Sequence, residues 1–342
     1  MISSRPSTSA ASASDPRSRP SLSRAEGAGF QEYASDIALG LPSLLLGPAI
    51  YAASLATVAA LLGLACAALI GSRHDSASIL AGATRLLAAF VPLLVWMLVS
   101  ATWSLDSAAS VEVNLRVAVL FLSGSLLVAG FARLPLEQLK KSLIALALGL
   151  SAAAAVVVVD LALGGHLARY LYAPRLDGVD PALGYGRAAT LHAMFFAPVL
   201  IGLLRCGFRR LAVGFALLAA AAIMETSSLS AKTALTASLL VLVAVWLVSW
   251  LRWLGLGGVG VALGFGPIIF NIWRLLSDRA YPTRPAQATI AATTAAAAAV
   301  GLISFGIWQE WFLSGLFIAA AFVVTSARRS AGAVHAMGGR QV

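Results

Sequence analysis

The chain has 342 residues, of which 60% are hydrophobic and only 11% are charged, a balance that excludes a water-soluble domain of this length. Repeated apolar runs of about 20 residues are typical of membrane-spanning helices, and the runs lack the alternation of a membrane β-barrel. The net charge of +10 comes from Lys and Arg that lie mostly at the ends of these runs, where such residues orient membrane helices rather than bind nucleic acid.

Residues 1–35 are polar and rich in Ser and Arg, and they predict a disordered cytoplasmic tail. Their lack of an apolar core argues against a cleaved secretory signal. An Arg- and Ser-rich start is also typical of organellar transit peptides, in which Asp15 and Glu26 would be unusual.

The apolar block 37–71 is too long for one simple span and short for two. Pro42 and Pro48 interrupt its first half, and proline kinks or ends a helix because it removes a backbone donor. We therefore predict two short or tilted helices joined near Gly47-Pro48. Further spans are predicted near 84–101, 113–132, 139–161, 188–204, 211–225, 232–251, 254–272, 287–305 and 309–326.

These runs predict an all-α fold, a polytopic helical membrane bundle of about 10–12 transmembrane helices in residues 36–327, followed by a short polar tail at 328–342. Basic residues test the threading, because they accumulate in cytoplasmic loops. With a hairpin in 37–71, the loops around Arg133 and Arg205 are cytoplasmic. The Trp103 turn, the loop 162–187 and the turn 225–232 then lie on the outer face.

The charge bias inverts after Arg252, which predicts that 254–272 either re-enters the membrane or leaves the C-terminus outside. Two cysteines, Cys66 and Cys206, lack the spacing of a metal site or a paired disulfide motif, and we predict neither. Asp160 and Glu225 lie nearest the outer ends of spans, where ionisable groups are candidates for function as well as for simple solvation.

The segment "LVSATWSLDSAAS" ends an apolar run in a Trp-Ser-x-Asp cluster. By position alone, Trp103 is an interfacial anchor, and Ser104 and Asp106 can cap the following helix. The segment also resembles the O-antigen ligase and polymerase family of bacterial inner-membrane proteins, in which a Ser, then Trp-Ser and an acidic residue, follow an early span. Ser100 completes that match.

Two further segments carry the same resemblance. In "SSLSAKTALTASLLV", Lys232 is the basic residue that opens a span in this family, although Ala231 stands where a Ser often precedes it. "RLDGVDPALGYGRAATLHAMFF" is similar to the arginine-bearing outer loop that precedes a span. Together the three segments cover residues 90–250 in the family's order.

The resemblance implies that the protein transfers a glycan from a polyprenyl diphosphate carrier to an acceptor, without a metal or other cofactor and alongside polysaccharide- or lipopolysaccharide-assembly proteins. Guanidinium and ammonium groups would stabilise the charge of the leaving diphosphate. The side chains that would bind the diphosphate are Arg175, Arg187 and Lys232, for which anchoring to lipid phosphates is the alternative. Those that would shape the outer cavity are Trp103, Ser104, Asp106, Ser228 and Ser230.

A general base is also required, to accept the proton of the acceptor hydroxyl. The family places a histidine in a large outer loop late in the chain, whereas here no long polar loop follows Arg252 and the next histidine is His335. His192, one turn beyond Arg187, is the candidate that remains, together with His166; a packing role is the alternative for both.

Three functions stay open at the level of the sequence. The first is a metal-independent glycosyltransferase of the bacterial inner membrane, in a shortened or degenerate form because the histidine-bearing loop is absent. The second is a non-catalytic membrane partner in polysaccharide export. The third is a small-molecule transporter, since the glycine-rich segment 254–272 could form a broken helix.

Overall fold

The computed structural model describes residues 22–52, 56–71, 75–103, 106–176, 180–251, 289–290, 292–293 and 313–324. Within these ranges the chain forms helices and turns and contains no strand, so the predicted all-α class is confirmed. The helices are α1 (Leu22–Ala52), α2 (Ala56–Gly71), α3 (Ser76–Ser100), α4 (Ser107–Phe131), α5 (Leu136–Ala162), α6 (His166–Leu176), α7 (Gly186–Arg205), α8 (Arg209–Glu225), α9 (Leu229–Leu251) and α10 (Leu313–Val324).

Within the described ranges, three helices, α4, α5 and α7, are long and apolar enough to cross a membrane. A fourth candidate is α3 with its 3-10 extension Ala101–Trp103, which bends by 45° just after Pro92. Shorter apolar helices include α2 and α10. The chain is therefore a helical membrane protein. The predicted spans 254–272 and 287–305 lie wholly or largely outside the described residues.

The predicted hairpin in 37–71 is present as α1 and α2, but its predicted position is wrong. The helix does not break near Gly47-Pro48. It continues through both prolines to Ala52, and α2 begins at Ala56. At its other end α1 begins at Leu22, inside the segment predicted as a disordered tail. No proline lies between Leu22 and Pro42, so this stretch can extend the helix.

Pro48 lies where α1 packs closely on α5. Proline offers no N–H to the carbonyl of Leu44 one turn earlier. Gly149 of α5 lies against that carbonyl, and Gly47 lies against the carbonyl of Gly149, so a Cβ on either glycine would overlap backbone atoms of the other helix. Nearby, the buried hydroxyls of Ser43 and Ser142 are 2.7 Å apart and join the same two helices.

Charged and polar side chains gather at one end of the bundle, which we call the basic end. Lys141 of α5 pairs with Asp36 of α1, Arg133 lies 3.2 Å from Asp75, and the Lys140 ammonium lies 5.7 Å from the centroid of the Phe208 ring. These contacts join the middle of α1 to α5, the α2–α3 turn to the α4–α5 turn, and α5 to the α7–α8 turn. The charge bias predicts that all three of these turns are cytoplasmic.

The helix α7 lies at the centre of the described bundle, with 78% of its apolar stretch buried. It packs on α8 and α9, and also contacts α1 and α5. On another side, Phe317 of α10 fits against Gly124 of α4 and packs edge to face on Phe121. The first turn of α7 lies at the end opposite the basic end, where the candidate site forms.

Candidate functional site

Three hydroxyls meet where α7 and α9 begin, and we call them the hydroxyl cluster. Thr190 Oγ1 lies 3.1 Å from Ser230 Oγ and 3.3 Å from Ser228 Oγ, and the two serine oxygens are 3.1 Å apart. Thr190 donates its own proton to the carbonyl of Gly186 at 2.9 Å. Its oxygen therefore accepts from a serine, and the cluster is a connected network.

Local sequence explains how the hydroxyl cluster forms. Ser228 precedes the first residue of α9, and its Oγ accepts from the backbone N–H of Ala231 at 3.3 Å, as helix-capping serines do. Gly186 opens α7, and a Cβ at that position would lie 3.5 Å from Ser228 Cβ. This is an ordinary van der Waals distance, so the two helix starts are close neighbours.

Basic residues stand in the first turns of both helices. Arg187 is the second residue of α7 and is exposed, while Lys232 is the fourth residue of α9 and is half-buried. Neither helix has an acidic residue in its first turn. The positive end of the helix dipole repels a cation, so both residues are placed at an electrostatic cost. An anion bound there would relieve that cost, because it would lie at two helix N-termini whose first turns each carry a basic residue.

A second group of side chains, the aromatic cluster, lies beside the first. It consists of Tyr51, Tyr172, Tyr185 and His192. His192 is fully buried, its Nδ1 lies 3.1 Å from the hydroxyl of Tyr51, and its ring stacks on Phe215 at 5.7 Å between centroids. Its Nε2 is buried and has no hydrogen-bond partner within the described part of the chain. In this conformation His192 therefore has a packing role and does not act as a general base.

The three tyrosines link α1 to the loop between α5 and α7. The Tyr185 ring lies 5.9 Å from that of Tyr51 and 5.9 Å from that of Tyr172, both edge to face. The Tyr172 hydroxyl donates to the carbonyl of Tyr51. Burial raises the pKa of Tyr172, which the nearby Arg187 charge opposes, and burial together with the hydrogen bond to Asp160 raises the pKa of Tyr185. Both phenols therefore stay neutral and act as donors.

Asp160 organises the start of α6. Its carboxylate accepts from the backbone N–H of Leu167 at 2.7 Å, from that of Ala168 at 3.0 Å and from the hydroxyl of Tyr185 at 2.8 Å. Gly164 and Gly165 adopt positive φ values of 95° and 73°, which let the chain turn sharply between α5 and α6. Asp160 is thus a helix cap and a tyrosine acceptor, which accounts for its charge near the end of a span.

The turn that follows α3 confirms the capping prediction for Asp106. Asp106 precedes α4 and its Oδ1 accepts from the N–H of Ala109 at 2.9 Å. Trp103 is 62% exposed and packs edge to face on Trp96, 5.9 Å away, as an interfacial anchor would. Ser104 lies outside the described residues.

The structure therefore brings together Ser228, Ser230 and the first turn of α7, which carries Arg187, at one end of the bundle. Arg175 lies in α6, but its side chain is outside the described residues. His166 begins α6 and is exposed.

Sequence reasoning missed Thr190 and the tyrosines. Thr190 follows Arg187 by three residues, one helical turn, and that spacing on a predicted span was the available signal. The tyrosines offered none, because their partners lie far along the chain.

Within the described residues, no group of three or more His, Cys, Asp and Glu could hold a metal ion. Comparison of the chain with family models, curated proteins and solved structures finds no match. The two helix starts and the hydroxyl cluster between them are therefore the features from which a function can be inferred.

Proposed function

We propose that the protein is an O-antigen ligase-like protein of the bacterial inner membrane that binds a polyprenyl diphosphate-linked glycan. One observation carries this proposal: two helix N-termini, each with a basic residue and no acidic residue in its first turn, meet at a network of three hydroxyls. We call this junction, with Arg187 and Lys232 beside the hydroxyl cluster, the diphosphate site.

The chemistry of a diphosphate fits these groups. Arg187 can donate two parallel N–H bonds to a pair of phosphate oxygens, and Lys232 adds a second positive charge. The serine hydroxyls can turn outward to donate, since their partners among the described residues are other hydroxyls and a backbone N–H. The exposed Arg187 and half-buried Lys232 leave the site reachable from one end of the bundle.

Binding is better supported than turnover. Glycosyl transfer to a hydroxyl needs a base within about 3 Å of that hydroxyl, or one water away. His192 is sealed between Tyr51 and Phe215 and has no exposed surface. This burial favours the second function, a non-catalytic partner in polysaccharide export that retains the carrier-binding site. If the protein does transfer glycans, it does so as a metal-independent glycosyltransferase after a rearrangement that exposes a base.

The test is binding of geranylgeranyl diphosphate, a short prenyl diphosphate, to the full-length protein in lipid nanodiscs. Arg187→Ala removes charge-assisted bonds of about 1.5–3 kcal/mol, so it should weaken binding roughly 10- to 100-fold. Arg187→Lys should weaken it nearly as much, because lysine lacks the planar fork. Arg210→Ala removes an equal charge at the α8 start, near the basic end, and should leave binding unchanged.

Two results would contradict the proposal. Unchanged affinity in both Arg187 variants would show that the guanidinium does not bind the diphosphate. Equal binding of geranylgeraniol, which lacks the diphosphate, would show that only the apolar tail is recognised.

A further inference from the structure

The helix α6 crosses the end of the bundle that lies opposite the basic end. It begins beside the last turn of α5, where the Asp160 carboxylate holds its first N–H groups, and Tyr172 near its other end reaches the carbonyl of Tyr51 at the end of α1. Its 11 residues span about 16 Å at 1.5 Å per residue. The helix is therefore fixed at both ends and lies over the ends of two other helices.

One side of α6 packs on the bundle. Ala168 is fully buried and Tyr172 is half-buried, four residues apart and thus on one helix face. A different side exposes large apolar groups: Tyr170 is 82% exposed and Leu167 38%, and Leu163 in the turn just before the helix is 68% exposed. Leu167 and Tyr170 are three residues apart and therefore neighbours on the helix surface. We call these three side chains the apolar stripe.

The apolar stripe follows the outer surface of α5 along the chain. Val156 and Val159 are half exposed on the last turns of α5, and Leu163 lies in the turn that leads into α6. Because α5 is long and apolar enough to cross a membrane, its exposed apolar side faces lipid. The stripe thus extends a lipid-facing surface beyond the end of the span.

The third side of α6 is basic. His166 and Arg169 are both exposed and three residues apart, next to the apolar stripe rather than opposite it. A helix in water would gain nothing from exposing Tyr170 and Leu163, and a helix in the hydrocarbon core would bury Arg169 at a large cost. A helix with both sides open fits the boundary between acyl chains and headgroups.

We propose that α6 is an interfacial helix that docks on the surface of an anionic bilayer. Leu163, Leu167 and Tyr170 enter the boundary between acyl chains and headgroups, and Arg169 binds lipid phosphate. The complementarity of Arg169 to anionic headgroups, and the continuity of the apolar stripe with the lipid-facing side of α5, select this partner. None of Leu163, Leu167, Arg169 and Tyr170 belongs to the diphosphate site, so the two proposals can be tested with separate variants.

Spin labels on single cysteines test this arrangement in the full-length protein. Cys66 and Cys206 are first replaced by Ser, and labels are placed at Tyr170, at Val156 as the lipid control and at His166 as the water control. Collision rates with oxygen, which concentrates in lipid, and with a neutral nickel chelate, which stays in water, are then measured in nanodiscs. All three positions are exposed, so the label does not disturb the core.

The expected oxygen-to-nickel ratio at Tyr170 lies well above that at His166 and between the two controls. Adding phosphatidylglycerol to phosphatidylcholine nanodiscs should raise the ratio at Tyr170, and Arg169→Gln should abolish that rise while Arg210→Gln preserves it. A ratio at Tyr170 equal to that at His166 would overturn the proposal, because α6 would then face water. Low collision rates with both reagents would also overturn it, since another protein surface, such as a second copy, would cover the stripe. If the ratio at Tyr170 changed neither on addition of phosphatidylglycerol nor on substitution of Arg169, the proposed contact with anionic headgroups would be wrong.

Discussion

Replacement of Gly47 by Ala tests the packing of α1 on α5. A Cβ at this position would overlap the carbonyl group of Gly149, which is part of the backbone of another helix and cannot rotate away. The helices would have to separate by about an ångström to restore ordinary contact distances. Gly40→Ala, in the same helix, is a matched control, because a Cβ at Gly40 would meet no atom of the described residues within 4 Å.

Of the two substitutions, only Gly47→Ala should lower the stability of the protein. Overpacking costs about 1–3 kcal/mol and more where backbone must move, so we take roughly 3 kcal/mol for Gly47→Ala. At about 2–4 °C per kcal/mol, the midpoint of thermal unfolding should fall by about 6–12 °C. Gly40→Ala should leave it unchanged or raise it, because alanine favours the helix by about 0.5–1 kcal/mol.

Thermal unfolding of the purified protein in detergent, followed by the loss of the monodisperse peak in size-exclusion chromatography, measures both variants. The double variant Gly47→Ala with Gly149→Ala adds a further test. Once the first substitution has separated the helices, the second one costs less. The double variant should therefore lose less stability than the sum of the losses in the two single variants. If Gly47→Ala unfolded at the same temperature as Gly40→Ala or at a higher one, α1 and α5 would not meet at these glycines.

Three further predictions concern the aromatic cluster and Asp160, which accepts a hydrogen bond from Tyr185. His192→Phe and Tyr51→Phe should each destabilise the protein by about 1–3 kcal/mol by leaving a buried partner unpaired, whereas the double variant should recover much of the loss; additive losses in thermal unfolding would contradict the pairing. Asp160→Ala should accelerate hydrogen exchange of the α6 amides through a cap loss of about 0.5–2 kcal/mol, and unchanged exchange would refute the capping role. Burial raises the pKa of Tyr172 and of Tyr185 above the ordinary value of 10.0. Near pH 10 these two phenols therefore ionise in the unfolded chain but not in the folded protein. The free energy of unfolding should fall as the pH rises further. Replacing both tyrosines by phenylalanine should flatten this decline. If stability fell with pH as steeply in that variant as in the native protein, the two phenols would not be its cause.

Features set by neighbouring residues were predictable from the sequence. The cap of α4 depends on Asp106 and the N–H of Ala109, three residues away. The start of α9 depends on Ser228 and Ala231 in the same way. The apolar runs placed Arg187 and Lys232 at the ends of predicted spans, and both residues lie in the first turns of helices that start close together.

Features set by distant partners were not predictable. Pro48 locally predicts a helix break, but the carbonyl that it leaves without a donor lies against Gly149 of a helix much later in the chain. Tyr51 and His192 are 141 residues apart, and no local pattern connects them. A small residue or a tyrosine in an apolar run can face lipid, lie in the core or belong to the candidate site. Only the packing of the helices shows which of these applies.

The contact between α1 and α5 also has a consequence for biosynthesis. Ser43 meets Ser142 from 99 residues later in the chain, and the carbonyl of Leu44 meets Gly149 at a similar separation. At about 5–20 residues per second, α5 leaves the ribosome roughly 5–20 s after α1. During that interval the glycine-bearing face of α1 has no α5 to pack against, and it meets lipid or other protein instead. The close contact between these two helices therefore forms only after α1 has been inserted and the fifth helix has been synthesised.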